Sequence, residues 1–185
     1  MSNTIRQKVS RFISKSLDMQ WPEGTVDFEN SSFIVDGIKP LIQVQDDIEA
    51  AFIWCWSLKD YMIKQLLVSN SQITRKSIED EINTYKCLVL CSDVANRLKH
   101  NELRESRSNQ YAKLSVVQKI QINKDNVSMI QKLDGYYFIT PSNGDCVKVK
   151  ANIVNSDDKF LVDAYECLKE SLEAWAEIHS KFSNS

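Results

Sequence analysis

Asp93, Asn96, Arg97 and His100 close a strongly apolar helical run at i, i+3, i+4 and i+7. At about 100° per residue this spacing places all of them on one helix face. An acid, an amide, a guanidinium and an imidazole then come within reach of a single ligand. Arg beside His suits a phosphate. Arg97 would bind the phosphate and stabilise its developing charge, and His100 would act as general acid or base. Lys99 adds a second positive charge at the edge, and Asn96 would orient a water, the imidazole or a substrate oxygen. RNA cleavage needs little more in principle, because the 2′-hydroxyl supplies the nucleophile and no metal is required.

The same residues also have a structural reading. Lys, Arg and His favour a helix C-terminus, where free carbonyls and the dipole attract them. Asp93 would then pair with Arg97 at i+4, and Asn96 would lock against Lys59 or Asp60. Asp60 follows an aromatic and apolar stretch. It is therefore expected to be partly buried and satisfied by Asn96, Lys99 or His100, the alternative being an exposed Asp60 beside Lys64.

Two long helices must position this cluster. Pro40 opens the first, where its missing N–H costs nothing. Leu41, Val44, Ile48, Ala51, Phe52, Cys55, Leu58, Met62, Gln65 and Leu66 continue it at a spacing of three to four. The second runs from Thr74 to His100, capped by Thr74 or Ser77, with a break near Asn83-Thr84. Its core run (Tyr85, Cys87, Leu88, Val89, Leu90, Cys91, Val94, Ala95, Leu98) is apolar nearly all round, so both helices are central. Asn101 to Gln110 is polar and reads as a mobile loop.

Outside these helices the pattern changes twice. Thr4 to Leu17 has the spacing of a short basic amphipathic helix, broken by Trp21-Pro22-Glu23-Gly24. Ser32 to Gly37 is either a short strand or irregular. From Leu114 onward β-branched residues and partial alternation predict strands over 114–122, 127–133, 136–140 and 146–154, separated by Asn, Asp, Gly and Pro turns. Asp157 or Asp158 caps a last helix. The expectation is one α+β domain over 1–185, mostly α, with helices at about 4–17, 40–69, 74–100 and 158–181. A small antiparallel β-meander at about 113–154 is inserted before the C-terminal helix.

Composition bounds the function. The chain has 185 residues and a net charge of −2, so it is no generic nucleic-acid binder, and any nucleic acid would be held by a local patch. Only 4 Gly and 3 Pro argue against a turn-rich β-sandwich. The 5 cysteines are odd in number and lie mostly in apolar helical patterns, as core thiols do. Cys87 and Cys91 stand one turn apart, but no second half of a zinc set accompanies them. No metal or cofactor is expected. Neither a signal peptide nor a membrane span is legible, and a reducing cytoplasm is the expected setting.

Two segments, Ala51-Phe52-Ile53-Trp54-Cys55-Trp56-Ser57-Leu58-Lys59-Asp60 and Cys91-Ser92-Asp93-Val94-Ala95-Asn96-Arg97-Leu98-Lys99-His100, together resemble the HEPN superfamily of nucleotide-binding helical domains. They also look like a group of bacterial proteins whose helix ends Asn-x-x-Lys-His, matched here by Asn96, Lys99 and His100. The resemblance covers about the middle third of the chain. It implies a four-helix HEPN-like bundle, often a homodimer, that binds RNA or a nucleotide. It further implies a metal-independent ribonuclease of a bacterial defence or toxin system, with His100 and Arg97 as its catalytic pair. Family sites space Arg and His more widely than Arg97 and His100, which enclose two residues. That departure supports the alternative, a non-catalytic protein-interaction module or partner subunit of a bacterial operon.

Overall fold

The structure is a computed structural model that describes residues 33–35, 41–69, 72–100, 102–121, 125–133, 136–143 and 146–183. The helix expected over 4–17, the break at Trp21 to Gly24 and the opening Pro40 lie outside the described residues. The chain divides into two compact units. One takes in Ile48–Ser115 and the chain from Ala151; the other takes in Val116–Lys150 with the start of the first helix.

Helix α1 (Leu41–Ser69) carries most of the predicted stripe: Val44, Ile48, Ala51, Phe52, Cys55, Leu58, Met62 and Leu66 are buried, whereas Leu41 and Gln65 are exposed. The region expected as one helix over 74–100 is two, α2 (Arg75–Ile82) and α3 (Lys86–His100). Thr74 and Ser77 form a reciprocal capping box, each side chain accepting from the other's backbone N–H. The break falls where the sequence places it. Asn83 caps α2, and the Thr84 hydroxyl bonds back to the Glu81 carbonyl at 2.7 Å. A threonine bonded to the preceding turn in this way competes with continuation of the helix.

Helix α4 (Ala164–Ser183) completes this core. Its Trp175 is fully buried, packs on Trp56 at 6.0 Å between ring centroids, and donates its indole N–H to the Cys55 carbonyl at 3.1 Å. Burying a ring of this size stabilises the fold by roughly 4 kcal/mol. The Cys91 thiol lies 3.8 Å from the Phe52 carbonyl and the Cys167 thiol 3.5 Å from that of Cys87, so α1, α3 and α4 meet through their sulfurs. All five cysteines are free and buried.

The strands form two three-stranded sheets, and this corrects the single meander. In the first sheet β3 (Val127–Leu133) and β4 (Tyr136–Pro141) are the expected antiparallel pair, with a register shift between Val127 and Met129. β1 (Phe33–Val35) adds to β4 in parallel, Phe33 opposite Tyr137. The second sheet has the order β2 (Lys113–Ile120), β5 (Val147–Val154), β6 (Phe160–Asp163). Ile139, Cys146 and Val147, flanked by Val127 and Val149, make the small core of the second unit.

Strand β6 occupies residues expected at the start of the last helix. It pairs antiparallel with β5, Asn152 opposite Asp163. The cap of α4 is Asp163, whose Oδ1 accepts from the N–H groups of Tyr165 (2.8 Å) and Glu166 (3.1 Å). Asp157 and Asp158 sit instead in a turn held by Asn155, whose side chain accepts from the N–H groups of Asp157 and Lys159. The fold is thus α+β and helix-rich, and no helix among the described residues is long and apolar enough to cross a membrane.

Candidate functional site

The predicted face of α3 does not act as one set. Asp93 is 1% exposed and turns toward the loop that follows its own helix. Its Oδ2 accepts from the hydroxyls of Ser106 and Ser108, both at 2.5 Å, and from the Ala112 N–H at 3.4 Å. Its Oδ1 accepts from the Arg107 N–H at 2.7 Å. A buried carboxylate must be paired or surrounded by donors, and here the donors come from the loop and not from Arg97.

Arg97 holds the same loop at a second point. Its Nη2 donates to the Tyr111 carbonyl at 3.3 Å, while its Nε is buried without a partner. The Tyr111 N–H in turn donates to the Ser106 hydroxyl at 3.0 Å. Tyr111 has a φ of 50°, which brings its β-carbon close to the next carbonyl and costs a non-glycine residue about 1–2 kcal/mol.

A third anchor fastens Arg107. Its guanidinium donates to Glu79 at 2.8 Å and to the Asn83 side chain at 3.2 Å. Lys59 reaches the other Glu79 oxygen at 3.2 Å, and both cations lie about 5 Å from the Trp56 ring, at 5.0 Å and 5.1 Å. Burial pushes the Glu79 carboxyl up, but the Arg107 hydrogen bond and the charges of Lys59 and Arg107 outweigh it and leave it below its ordinary 4.5. The loop expected to be mobile over 101–110 is therefore tied down from Ser106 on, because its serines and Arg107 find partners on α2 and α3.

With Ser106 to Ala112 fastened, the preceding residues stand beside the end of α3. Asn96, His100, Glu102, Leu103, Arg104 and Glu105 line a cleft of about 580 Å³. Asn96 is half-buried and steadied by a 3.3 Å bond from its amide nitrogen to the Ser92 hydroxyl. The side chains of His100, Glu102, Arg104 and Glu105 are exposed and make no hydrogen bond or ion pair among the described residues. The imidazole and the Arg104 guanidinium are thus uncommitted donors facing one space. A phosphate would accept from both, with charge-assisted bonds of the stronger kind. The carboxylates of Glu102 and Glu105 suit donors, such as ribose hydroxyls or an exocyclic amine.

Of the residues predicted from sequence, Asn96 and His100 reach the cleft. Asp93 and Arg97 build the loop that shapes it. Lys99 is exposed but does not line the cleft. Asp60 is exposed on α1, which corrects its expected partial burial; the neighbouring Lys59 makes the inward ion pair instead. Glu102, Arg104 and Glu105 were hidden in a charged segment whose composition says only that it is solvated. No group of three or more His, Cys, Asp or Glu among the described residues converges as metal ligands. The other histidine, His179 on α4, has a buried Nε2 without a partner, and burial lowers its pKa.

No protein-family model, curated protein or solved structure matches this chain.

Proposed function

We propose that the chain is a HEPN-like nucleotide- or RNA-binding protein that holds a phosphate-bearing ligand in the cleft at the end of α3. The observation that carries this reading is the pair of uncommitted donors, His100 and Arg104, on a cleft of about 580 Å³ that also presents Asn96, Glu102 and Glu105. That volume suits a mononucleotide or one residue of a strand. The phosphate would lie between His100 and Arg104, so Arg104 takes the part that spacing alone suggested for Arg97. Ribose hydroxyls or base amino groups would donate to Glu102 and Glu105. Support for the HEPN-like part is the sequence of the two helical segments, Ala51 to Asp60 and Cys91 to His100. The exposed Tyr61 and Val68, seven residues apart on α1, support a homodimer through the long helices.

The test is titration of the purified chain, with chelator present, by adenosine 5′-monophosphate and by a short fluorescent RNA. The same RNA is then followed for cleavage. His100→Ala and Arg104→Ala, checked for unchanged thermal stability, should each weaken binding about tenfold. Cleavage lost in His100→Ala would extend the reading to a metal-independent ribonuclease. Absence of binding to every probe would overturn it in favour of a non-catalytic interaction module, with the cleft as a surface for a protein partner.

A further inference from the structure

The solvent face of the second sheet carries a group of lysines. Strands β2 and β5 are neighbours there, with eight residues each. The Gln121 N–H, one residue past β2, donates at 2.7 Å to the carbonyl of Cys146, one residue before β5. Strands joined at those two ends run antiparallel. Counting inward from the bond sets Lys119 directly opposite Lys148, and Val117 opposite Lys150. Exposure follows the same alternation: Val117, Lys119, Lys148 and Lys150 are exposed, whereas Val147 and Ala151 are buried. All four exposed residues belong to the second unit. The three lysines make no hydrogen bond or ion pair among the described residues.

Like charges directly opposite each other work against strand pairing, because their β-carbons stand only about 5 Å apart. A lysine on an edge strand guards it against pairing with another chain, which accounts for Lys119 on β2. Lys148 and Lys150 stand on β5, the central strand of the sheet, where that reason does not apply. They lie two residues and so about 7 Å apart along one face, a step that an extended polynucleotide matches from one phosphate to the next. We propose that this face binds the backbone of a single-stranded nucleic acid, its phosphates lying along Lys148 and Lys150 and across to Lys119. A chain with a net charge of −2 can hold a polyanion only through such a local patch. The four residues offer no aromatic ring for a base to stack on, so binding is by phosphate and indifferent to sequence. Val117, 43% exposed, is their one apolar side chain, whereas a lipid surface calls for a broad apolar face. The site shares no residue with the cleft and does not depend on what the cleft holds.

The experiment titrates the full chain with a fluorescent oligouridylate at several salt concentrations. Neutralising three phosphates makes log affinity fall with log salt at a slope of about −2, or about fifteenfold between roughly 50 and 200 mM KCl. The triple variant Lys119→Gln, Lys148→Gln, Lys150→Gln should bind about tenfold more weakly at the lower salt and lose most of that slope. Its thermal stability should be kept or raised, because the opposed like charges are gone. A second triple variant, Lys64→Gln, Lys76→Gln, Lys169→Gln, makes the same change in net charge at other exposed lysines and should bind as wild type does. Equal binding and slope in wild type and the first variant would overturn the proposal, and so would equal losses in the two variants. Wild type that binds phosphatidylserine vesicles but no oligouridylate at low salt would overturn it in favour of a membrane surface. Adenosine 5′-monophosphate titrated into the same proteins reads the cleft separately. Its failure to bind, with the oligouridylate results as expected, would overturn the cleft reading and leave this site standing.

Discussion

The Asp93 carboxylate accepts the main-chain N–H of Arg107 at 2.7 Å, joining the middle of α3 to a residue 14 positions further along the chain. This bond, with those from Ser106 and Ser108, decides where the segment after α3 goes. Without it the Glu102 to Glu105 stretch would have no fixed place beside His100. Asp93→Ala leaves several loop donors without an acceptor and should lower stability by about 3 kcal/mol. Urea unfolding of the variant measures that loss. Ligand binding should fall with it even at temperatures where the variant is fully folded, because the cleft loses its wall.

Glu79 predicts an acid sensitivity. Its folded pKa lies below the ordinary 4.5, because two cations outweigh its burial. A carboxylate of this kind contributes stability that is fully present above the unfolded value, and that contribution is lost as pH falls through the folded value. Glu79→Gln should therefore cost about 2 kcal/mol near neutral pH. The gap to wild type should close below pH 4.5. Denaturant unfolding of both proteins at pH 7, 5 and 3 gives the comparison. A gap that stays constant with pH would show that the Lys59 and Arg107 pairs do not stabilise the fold.

The thiols should be inert in the native protein. Burial is the main cause that pushes Cys91 and Cys167 well above the usual thiol range, with the neighbouring cysteines adding to it, and all five cysteines are buried. A thiolate is the reactive form, so a disulfide-exchange reagent should label the native chain slowly. In denaturant it should label five thiols. Rapid native labelling of even one would contradict the packing of α1, α3 and α4 described above.

Trp175→Phe tests that core directly. It removes the indole N–H that the Cys55 carbonyl accepts at 3.1 Å and leaves a space beside Trp56. The expected loss is about 2–3 kcal/mol, read from thermal or denaturant unfolding.

What was legible in the sequence follows the range of the interactions. The α1 stripe from Ile48 to Leu66, the cap at Thr74 and the break at Asn83-Thr84 arise from neighbours within one or two helical turns, and they appear where the spacing places them. The cluster Asp93, Asn96, Arg97 and His100 was legible as a helix face, but not its division into loop anchors and cleft residues. That division depends on Ser106, Arg107, Ser108 and Tyr111, whose partners lie 13 or more positions away. A stretch rich in Ser, Arg and Glu has the composition of a solvated loop whether or not a buried carboxylate gathers it. Strand β6 was missed for a related reason. Phe160 to Asp163 is short, and its place is set by pairing with β5 across a turn built by Asn155.

The most direct test of the proposed nucleotide site uses the two histidines of the chain as reporters. His100 lines the cleft in an exposed position, whereas His179 lies on α4 with Nε2 buried. Imidazole resonances followed by NMR while adenosine 5′-monophosphate is added should show one histidine moving with saturation. Loss of that resonance in His100→Ala would assign it, and the His179 resonance should stay in place. Two stationary imidazole resonances at millimolar nucleotide would contradict the proposed site.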